Sequence, residues 1–276
     1  MPELPEVETV CRGLAEVLEG RTLIGVRVLR PDLRLPFPPD FAERLLGRTV
    51  LKVARRAKYM TLFLDDGWVL LGHLGMSGRM LITACDATPP AKHDHVILET
   101  NEGKRISFND PRRFGLMDLV TAERLGEHKL LRSIGPEPLD DAFTARVLIA
   151  ALAGRSTPIK IALLDQTLVA GIGNIYASEA LFRAGIAPTR AASTITAKQA
   201  GKLVAAIKAV LTEAIASGGS SLRDHRQPSG ELGYFQHAFA VYDREGLPCP
   251  GCTCPTGVRR ITQSGRSTFY CDKRQR

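Results

Sequence analysis

The chain has 276 residues, 44% of them apolar, with six cysteines and a formal net charge of +8. That length is enough for about two domains with real cores. The first residues are acidic and no apolar run reaches the roughly 18 residues of a membrane span, so the sequence reads as a soluble, cytoplasmic protein without a leader, and its basic balance favours a polyanionic partner, above all nucleic acid.

In chain order, residues 5 to 19 carry a helical stripe of Val7, Val10, Leu14, Val17 and Leu18, stopped at Gly20. Strand-like runs follow at 22–30, 59–64, 68–74, 95–100 and 104–108, separated by turn signals at 65–67 and 101–103. Many short strands with hairpin turns predict a sandwich or barrel. The segment 135–141, GPEPLDD, reads as a linker. Beyond it ALLDQTL, IYASEALFRAG and the run from Ala197 to the glycines at 218–219 read as helices. Four of the six cysteines, Cys249, Cys252, Cys254 and Cys271, crowd the last 28 residues, a clustering that points to a metal rather than to disulfides in a reducing compartment.

The opening, MPELPEVETV, packs Pro2, Glu3 and Glu6 into one prospective helix turn. Proline and glutamate favour first helical turns, so capping is one reading. The other is chemical. Methionine is generally removed before a small residue, which would leave a prolyl secondary amine. An α-amino group titrates near 8 rather than 10.4, so more of it is neutral and nucleophilic at neutral pH. Such an amine gives a charged iminium, an electron sink. Glu3 and Glu6 beside it suit acid, base or iminium-stabilising work.

The same ten residues, followed by RRAKY (55–59), HLGMSGRM (73–80), KHDHV (92–96), NDPRRFG (109–115), LLDQTLVAGIGNIYASEALF (163–182) and GRSTFYC (265–271), resemble the formamidopyrimidine-DNA glycosylases along the whole chain. Leu4 favours this branch over the related endonuclease VIII enzymes, which usually begin PEGPE. The resemblance implies an α+β fold: an N-terminal helix with a two-sheet β-sandwich over 1–134, a linker at 135–141, a helix–two-turn–helix domain over 142–240 and a zinc-finger-type hairpin over 241–276. It implies a bifunctional glycosylase and abasic-site lyase that excises oxidised purines from double-stranded DNA as a monomer, without a nucleotide cofactor. Two other readings stand beside it, an endonuclease VIII-like activity on oxidised pyrimidines and an inert damaged-DNA-binding protein.

By position, the resemblance makes Pro2 the nucleophile, Glu3 the general acid and Glu6 a supporting carboxylate. Lys58 lies near the damaged nucleotide, although alone it reads as a solvated strand lysine. Met76, Arg112 and Phe114 fill the hole left by an extruded base, Arg112 offering donors to the stranded partner. Read alone they are a core Met and Phe and a phosphate-binding Arg. His93, Arg112 and Arg155 match DNA-contacting positions. Lys160 supplies charge and Asn174 an amide at the glycine turn, where glycines and a helix N-terminus suit phosphate. Arg223 falls in the loop that covers the extruded base in some members, where lysine is frequent. Arg266, at the finger tip, binds phosphate and is assigned the last elimination. The HDH at 93–95 lacks companion metal ligands, and GIGN at 171–174 lacks the preceding strand of a nucleotide-binding loop.

The tail departs from the family's C-x2-C, sixteen residues, C-x2-C. Eighteen residues separate Cys252 from Cys271, sixteen separate Cys254 from it, and Arg274 holds the last ligand position. Three arrangements stay open: three cysteines with an outside ligand on zinc, all four cysteines on zinc, or a metal-free hairpin.

Overall fold

The computed structural model describes residues 1–86, 88–221, 228 and 233–276. They divide into two compact units, Met1–Arg132 with Ser217–Tyr234, and Ser133–Ala216 with Phe235–Arg276. The segment Ser217–Tyr234 thus groups with the N-terminal residues, whereas the sequence reading keeps 142–240 together.

In the first unit, helix α1 (Leu4–Leu18) buries Leu4, Val7, Val10, Cys11, Leu14 and Leu18, the face that three- and four-residue spacing creates. Beyond its end Gly20 takes φ +74°, and its N–H donates to Val50 O at 2.8 Å. One antiparallel sheet contains β1 (Leu23–Val28), β5 (Arg79–Ala84), β6 (Asp94–Thr100) and β7 (Lys104–Asn109), in the order β1-β6-β7-β5. The other contains β2 (Val50–Arg56), β3 (Tyr59–Leu64), β4 (Trp68–His73) and β8 (Leu116–Thr121), in the order β2-β3-β4-β8. A short helix α2 (Phe41–Leu45) lies between β1 and β2 in sequence. One core joins Leu14 of the helix, Val96, Ile106 and Phe108 of the first sheet and Met60, Leu70 and Met117 of the second, the two-sheet arrangement the sequence predicts.

The sequence reading missed β2, β5 and β8. All three are edge strands. Edges carry charge and weak alternation because a flat apolar edge invites pairing with another chain; β2 bears Lys52, Arg55 and Arg56, and the burial pattern of β5 fades to exposed at its end.

The second unit holds α3 (Ala145–Leu152), α4 (Ile159–Leu163), α5 (Asn174–Ala184) and α6 (Ala197–Ala216), then the hairpin β9 (Arg259–Gln263) and β10 (Arg266–Tyr270). ALLDQTL is not one helix: α4 ends at Leu163. Asp165 then captures the chain in a turn, accepting from Thr167 N and Thr167 Oγ1 at 2.9 and 2.7 Å. No strand lies between β8 and β9 among the described residues, so the glycine segment is not part of a nucleotide-binding βαβ unit. No helix among them is long and apolar enough to cross a membrane.

Candidate active site and nucleic-acid interface

In the first unit Pro2, Glu3, Glu6 and Lys58 are all buried. Glu3 is the residue before α1, and its backbone N–H donates to Glu6 Oε2 at 2.8 Å. Glu6 Oε1 accepts from Ser220 N, also at 2.8 Å. Capping and chemistry are therefore compatible. Glu6 secures the turn that carries Pro2 and Glu3, and it ties that turn to the segment beginning at Ser217. Met1 is 55% exposed ahead of the buried Pro2.

Lys58 follows Ala57, whose φ of +52° turns the chain from β2 into β3. Arg55 braces that turn, donating to Ala57 O at 2.9 Å and to Glu8 of α1 at 3.0 Å. The sequence reading passed over a neighbour, His73. Its ring lies 4.8 Å from that of Tyr59, its cross-strand partner. Burial, then the positive charges of Lys58 and Arg34, hold its imidazole down at about 4. Its Nδ1 accepts from Gly75 N at 3.0 Å, which leaves the proton of the neutral ring on Nε2. The charges of Lys58 and Arg34 thus bear on a neutral imidazole that carries its proton on Nε2. The only sequence signal was the histidine's place at the end of a strand, just before a glycine turn.

Asp110, fully buried, organises the next loop. Its carboxylate accepts from Ser77 Oγ at 2.5 Å, Gly115 N at 2.8 Å and Arg112 N at 3.3 Å. Its carbonyl meets His95 Nε2 at 2.8 Å, which occupies the second histidine of HDH within the protein. Half-buried His93 contributes its carbonyl to Asp110 N at 3.0 Å. The loop then presents Phe114, 45% exposed, with the Arg112 guanidinium 4.8 Å from its ring centroid. Met76, 40% exposed, stands on the adjoining turn. These are not core residues. The two turns meet backbone to backbone: a Cβ on Gly75 (φ +62°) would lie 2.3 Å from Phe114 C. Gly75→Ala is expected to cost ~2 kcal/mol or more by overpacking and left-handed strain. Thermal denaturation should show a clearly lowered Tm, and an unchanged Tm would contradict this packing.

In the second unit Gln166 braces the glycine turn before α5. Its amide donates to Ile172 O and accepts from Gly171 N, each at 2.9 Å. Asn174 opens α5 after Gly173. Lys160 is fully buried rather than at the surface. Arg155 is half-exposed and paired with Asp165 at 2.9 Å. Partial burial pushes the Asp165 carboxyl up, but the bonds from Thr167 and then the Arg155 guanidinium outweigh it and hold the group low. Arg266 is exposed at the start of β10. Arg223 lies outside the described residues.

Residues 1–117 match the formamidopyrimidine-DNA glycosylase N-terminal domain, and residues 134–226 match the formamidopyrimidine-DNA glycosylase H2TH domain. The formamidopyrimidine-DNA glycosylase of Rhodospirillum rubrum is 58% identical over 281 residues, covering all of both chains. The chain belongs to the formamidopyrimidine-DNA glycosylase family. The enzyme of that name from Paracoccus denitrificans is likewise 58% identical, over 98% of each chain. Among solved structures, the MutM (Fpg) protein of Thermus thermophilus superposes with a TM-score of 0.87 at 42% identity, over 99% of this chain and 98% of that one. A Lactococcus lactis Fpg mutant in complex with DNA containing Fapy-dG gives 0.90 at 32% identity over the whole of both chains.

The chain ends in a hairpin with a cysteine cluster of its own spacing. The sulfurs of Cys249, Cys252, Cys254 and Cys271 all lie within 4.8 Å of one another. Cys249 to Cys254 is 3.3 Å, Cys254 to Cys271 3.6 Å and Cys252 to Cys271 3.7 Å. Sulfurs on a tetrahedral ion with bonds of ~2.3 Å stand about 3.8 Å apart, so the four thiols fit one metal ion. Both cysteines of the CTC sequence face the same point. Arg274, in the usual ligand position, braces the turn from outside: it donates to Pro250 O at 2.9 Å, and its guanidinium lies 4.6 Å over the ring of Phe182.

Proposed function

We propose that the protein is a base excision repair enzyme, a DNA-formamidopyrimidine glycosylase with abasic-site lyase activity, acting on oxidised purines in double-stranded DNA. The observation that supports this reading is that Pro2, Glu3, Glu6 and Lys58 are all buried, the first three at the start of α1 and Lys58 at the β2–β3 turn that Arg55 ties to Glu8 of α1. With Met1 removed, the Pro2 amine attacks C1′ of the lesion nucleotide. Glu3 protonates the departing base. The C1′–O4′ bond then opens, O4′ taking a proton, and the resulting iminium draws electrons from the sugar, so that elimination breaks the strand on the 3′ and then the 5′ side. Lys58, with His73 beside it, serves the flanking phosphate and the proton transfers.

Extruding a nucleotide costs a few kcal/mol. The exposed Met76, Arg112 and Phe114 are suited to entering the vacated stack, since an unbranched Met and a flat Phe slip between bases and Arg112 keeps donors for the partner base. His93, Arg155, Asn174 and the glycine turn would meet the sugar-phosphate backbone, which positions DNA without reading sequence. Arg266 is assigned the last elimination. In the finger we take the ion as zinc, held by all four cysteines in a structural role. The enzyme needs no nucleotide cofactor, and we take it as a cytoplasmic monomer.

Borohydride reduction during reaction with an 8-oxoguanine duplex tests the covalent step. The expected result is a protein–DNA adduct in the native enzyme and none in Pro2→Gly. Binding without any adduct would leave the inert DNA-binding reading. Mass spectrometry of competent enzyme should find Pro2 first, because a retained Met1 blocks the amine.

A further inference from the structure

Lysine is among the residue types least often fully buried. Lys160, on α4, is fully buried. Its ammonium lies 2.5 Å from Asn174 Oδ1, 2.6 Å from Thr268 Oγ1 and 3.1 Å from Ser267 O. A phosphate reaches this nitrogen only if the packing between α4, α5 and β10 opens.

The bonds form a circuit. Thr268 Oγ1 donates to Gln263 Oε1 at 2.9 Å, and Gln263 Nε2 donates to Pro188 O at 3.3 Å. The backbone N–H of Lys160 reaches the same Pro188 oxygen, also at 3.3 Å. Ser267 O, the carbonyl of the residue after Arg266, accepts from Asn174 Nδ2 at 2.9 Å as well as from Lys160. The Asn174 amide is thereby fixed in one orientation. A second buried charge ties the chain ahead of the hairpin to the same helix. Glu179, on α5, accepts from Ala240, Val241 and Tyr242 N at 2.9, 3.0 and 2.8 Å.

We propose that Lys160 is a positioning residue: its enclosed ammonium clamps the turn end of the β9–β10 hairpin to the start of α5, so that Arg266 and the glycine turn meet the DNA backbone as one rigid surface. The clamp rests on the reading that Arg266 serves the phosphates and the final elimination. It differs from the expectation that Lys160 itself supplies charge to DNA.

The test is a double-mutant cycle of Lys160→Met with Arg266→Ala in the full-length, metal-loaded enzyme. The readouts are DNA affinity against salt and the fraction of β,δ-product from an abasic duplex. Losing a buried charged hydrogen-bond donor should lower that fraction roughly tenfold in the Lys160→Met enzyme, with adduct formation at Pro2 and metal content retained. In the Arg266→Ala background the same change should add almost nothing, and the salt slope should stay put. A slope that falls there by about one unit would mean that Lys160 touches phosphate, and would overturn the clamp. So would a folded Lys160→Met enzyme with an unchanged product ratio. If Arg266→Ala alone is silent, the underlying assignment falls and the clamp falls with it. Should Lys160→Met not fold, Thr268→Val removes one acceptor from the same circuit. It should shift the product ratio in the same direction by less, and no shift would sink the proposal.

Discussion

Glu3→Gln is expected to slow release of 8-oxoguanine by ~10²–10⁴-fold, the usual worth of a positioned general acid, while cleavage at a preformed abasic site survives. An abasic sugar has already lost its base, so no leaving purine needs protonating. Pro2 can still condense with the ring-opened aldehyde. Glutamine keeps the shape and the polar end of a side chain only 3% exposed, so the first turn of α1 should persist. Single-turnover rates on the two substrates give the answer, and equal loss on both would remove Glu3 from the acid role. Glu6→Gln should behave differently. Each Glu6 oxygen accepts one backbone N–H, from Glu3 and from Ser220. A glutamine can accept only one of them and sets an NH₂ against the other, which costs ~1–3 kcal/mol. Both activities and the Tm should then fall together, the signature of a support rather than of an acid.

The contrast between those carboxylates was not available from spacing. The sequence put Glu3 and Glu6 on one turn, but the donor from Ser220 comes from a segment more than two hundred residues away. Periodic, buried elements were legible: α1, β3, β4, β6 and β7 follow from apolar spacing and turn residues, and α5 and α6 from their apolar faces and terminal glycines. Among the edges, β1 was legible from its β-branched run, whereas β2, broken by Lys52, Arg55 and Arg56, β5, whose burial fades at its end, and β8 were passed over. The short helix α3 was likewise passed over. ALLDQTL misled because its leucines mimic a helical stripe while Asp165 turns the chain. At the site, local motifs named the residues, but burial decides what some of them can do. Lys160 reads as surface charge until Thr268 and Ser267, over a hundred residues away, are seen to enclose it. His73 reads only as the last residue of a strand until its ring is seen packed against that of Tyr59, the residue after Lys58.

The finger poses the sharpest question, because spacing alone left three arrangements open. If all four sulfurs hold one ion, replacing any one of them by serine should drop zinc content from about one per chain toward zero. Cys254→Ser is the decisive variant. With only three cysteine ligands and an outside group, either Cys252 or Cys254 would be dispensable, and one of the two serine variants would keep its metal. The geometry favours the larger loss. The hairpin's core is small: Phe182, Val241, Cys249, Val258, Phe269 and Cys271 make up its fully buried apolar residues. Structural zinc in small fingers contributes an apparent ~10–16 kcal/mol, far beyond what so few side chains supply. Without the ion, burial and the neighbouring thiols push the Cys249 thiol up, and only weak sulfur–sulfur contacts link the four side chains. Arg274 braces the outer turn through Pro250 O and the Phe182 ring. A strong chelator should therefore act as Cys254→Ser does, lowering DNA affinity and the β,δ-product through loss of order around Arg266. The Pro2 turn of the first unit should remain able to form its adduct once DNA is saturating. Zinc measured per chain for the four serine variants, alongside that adduct, separates a finger that only holds Arg266 in place from one on which the whole enzyme depends. Full metal content in Cys254→Ser would assign the ion to the other three sulfurs.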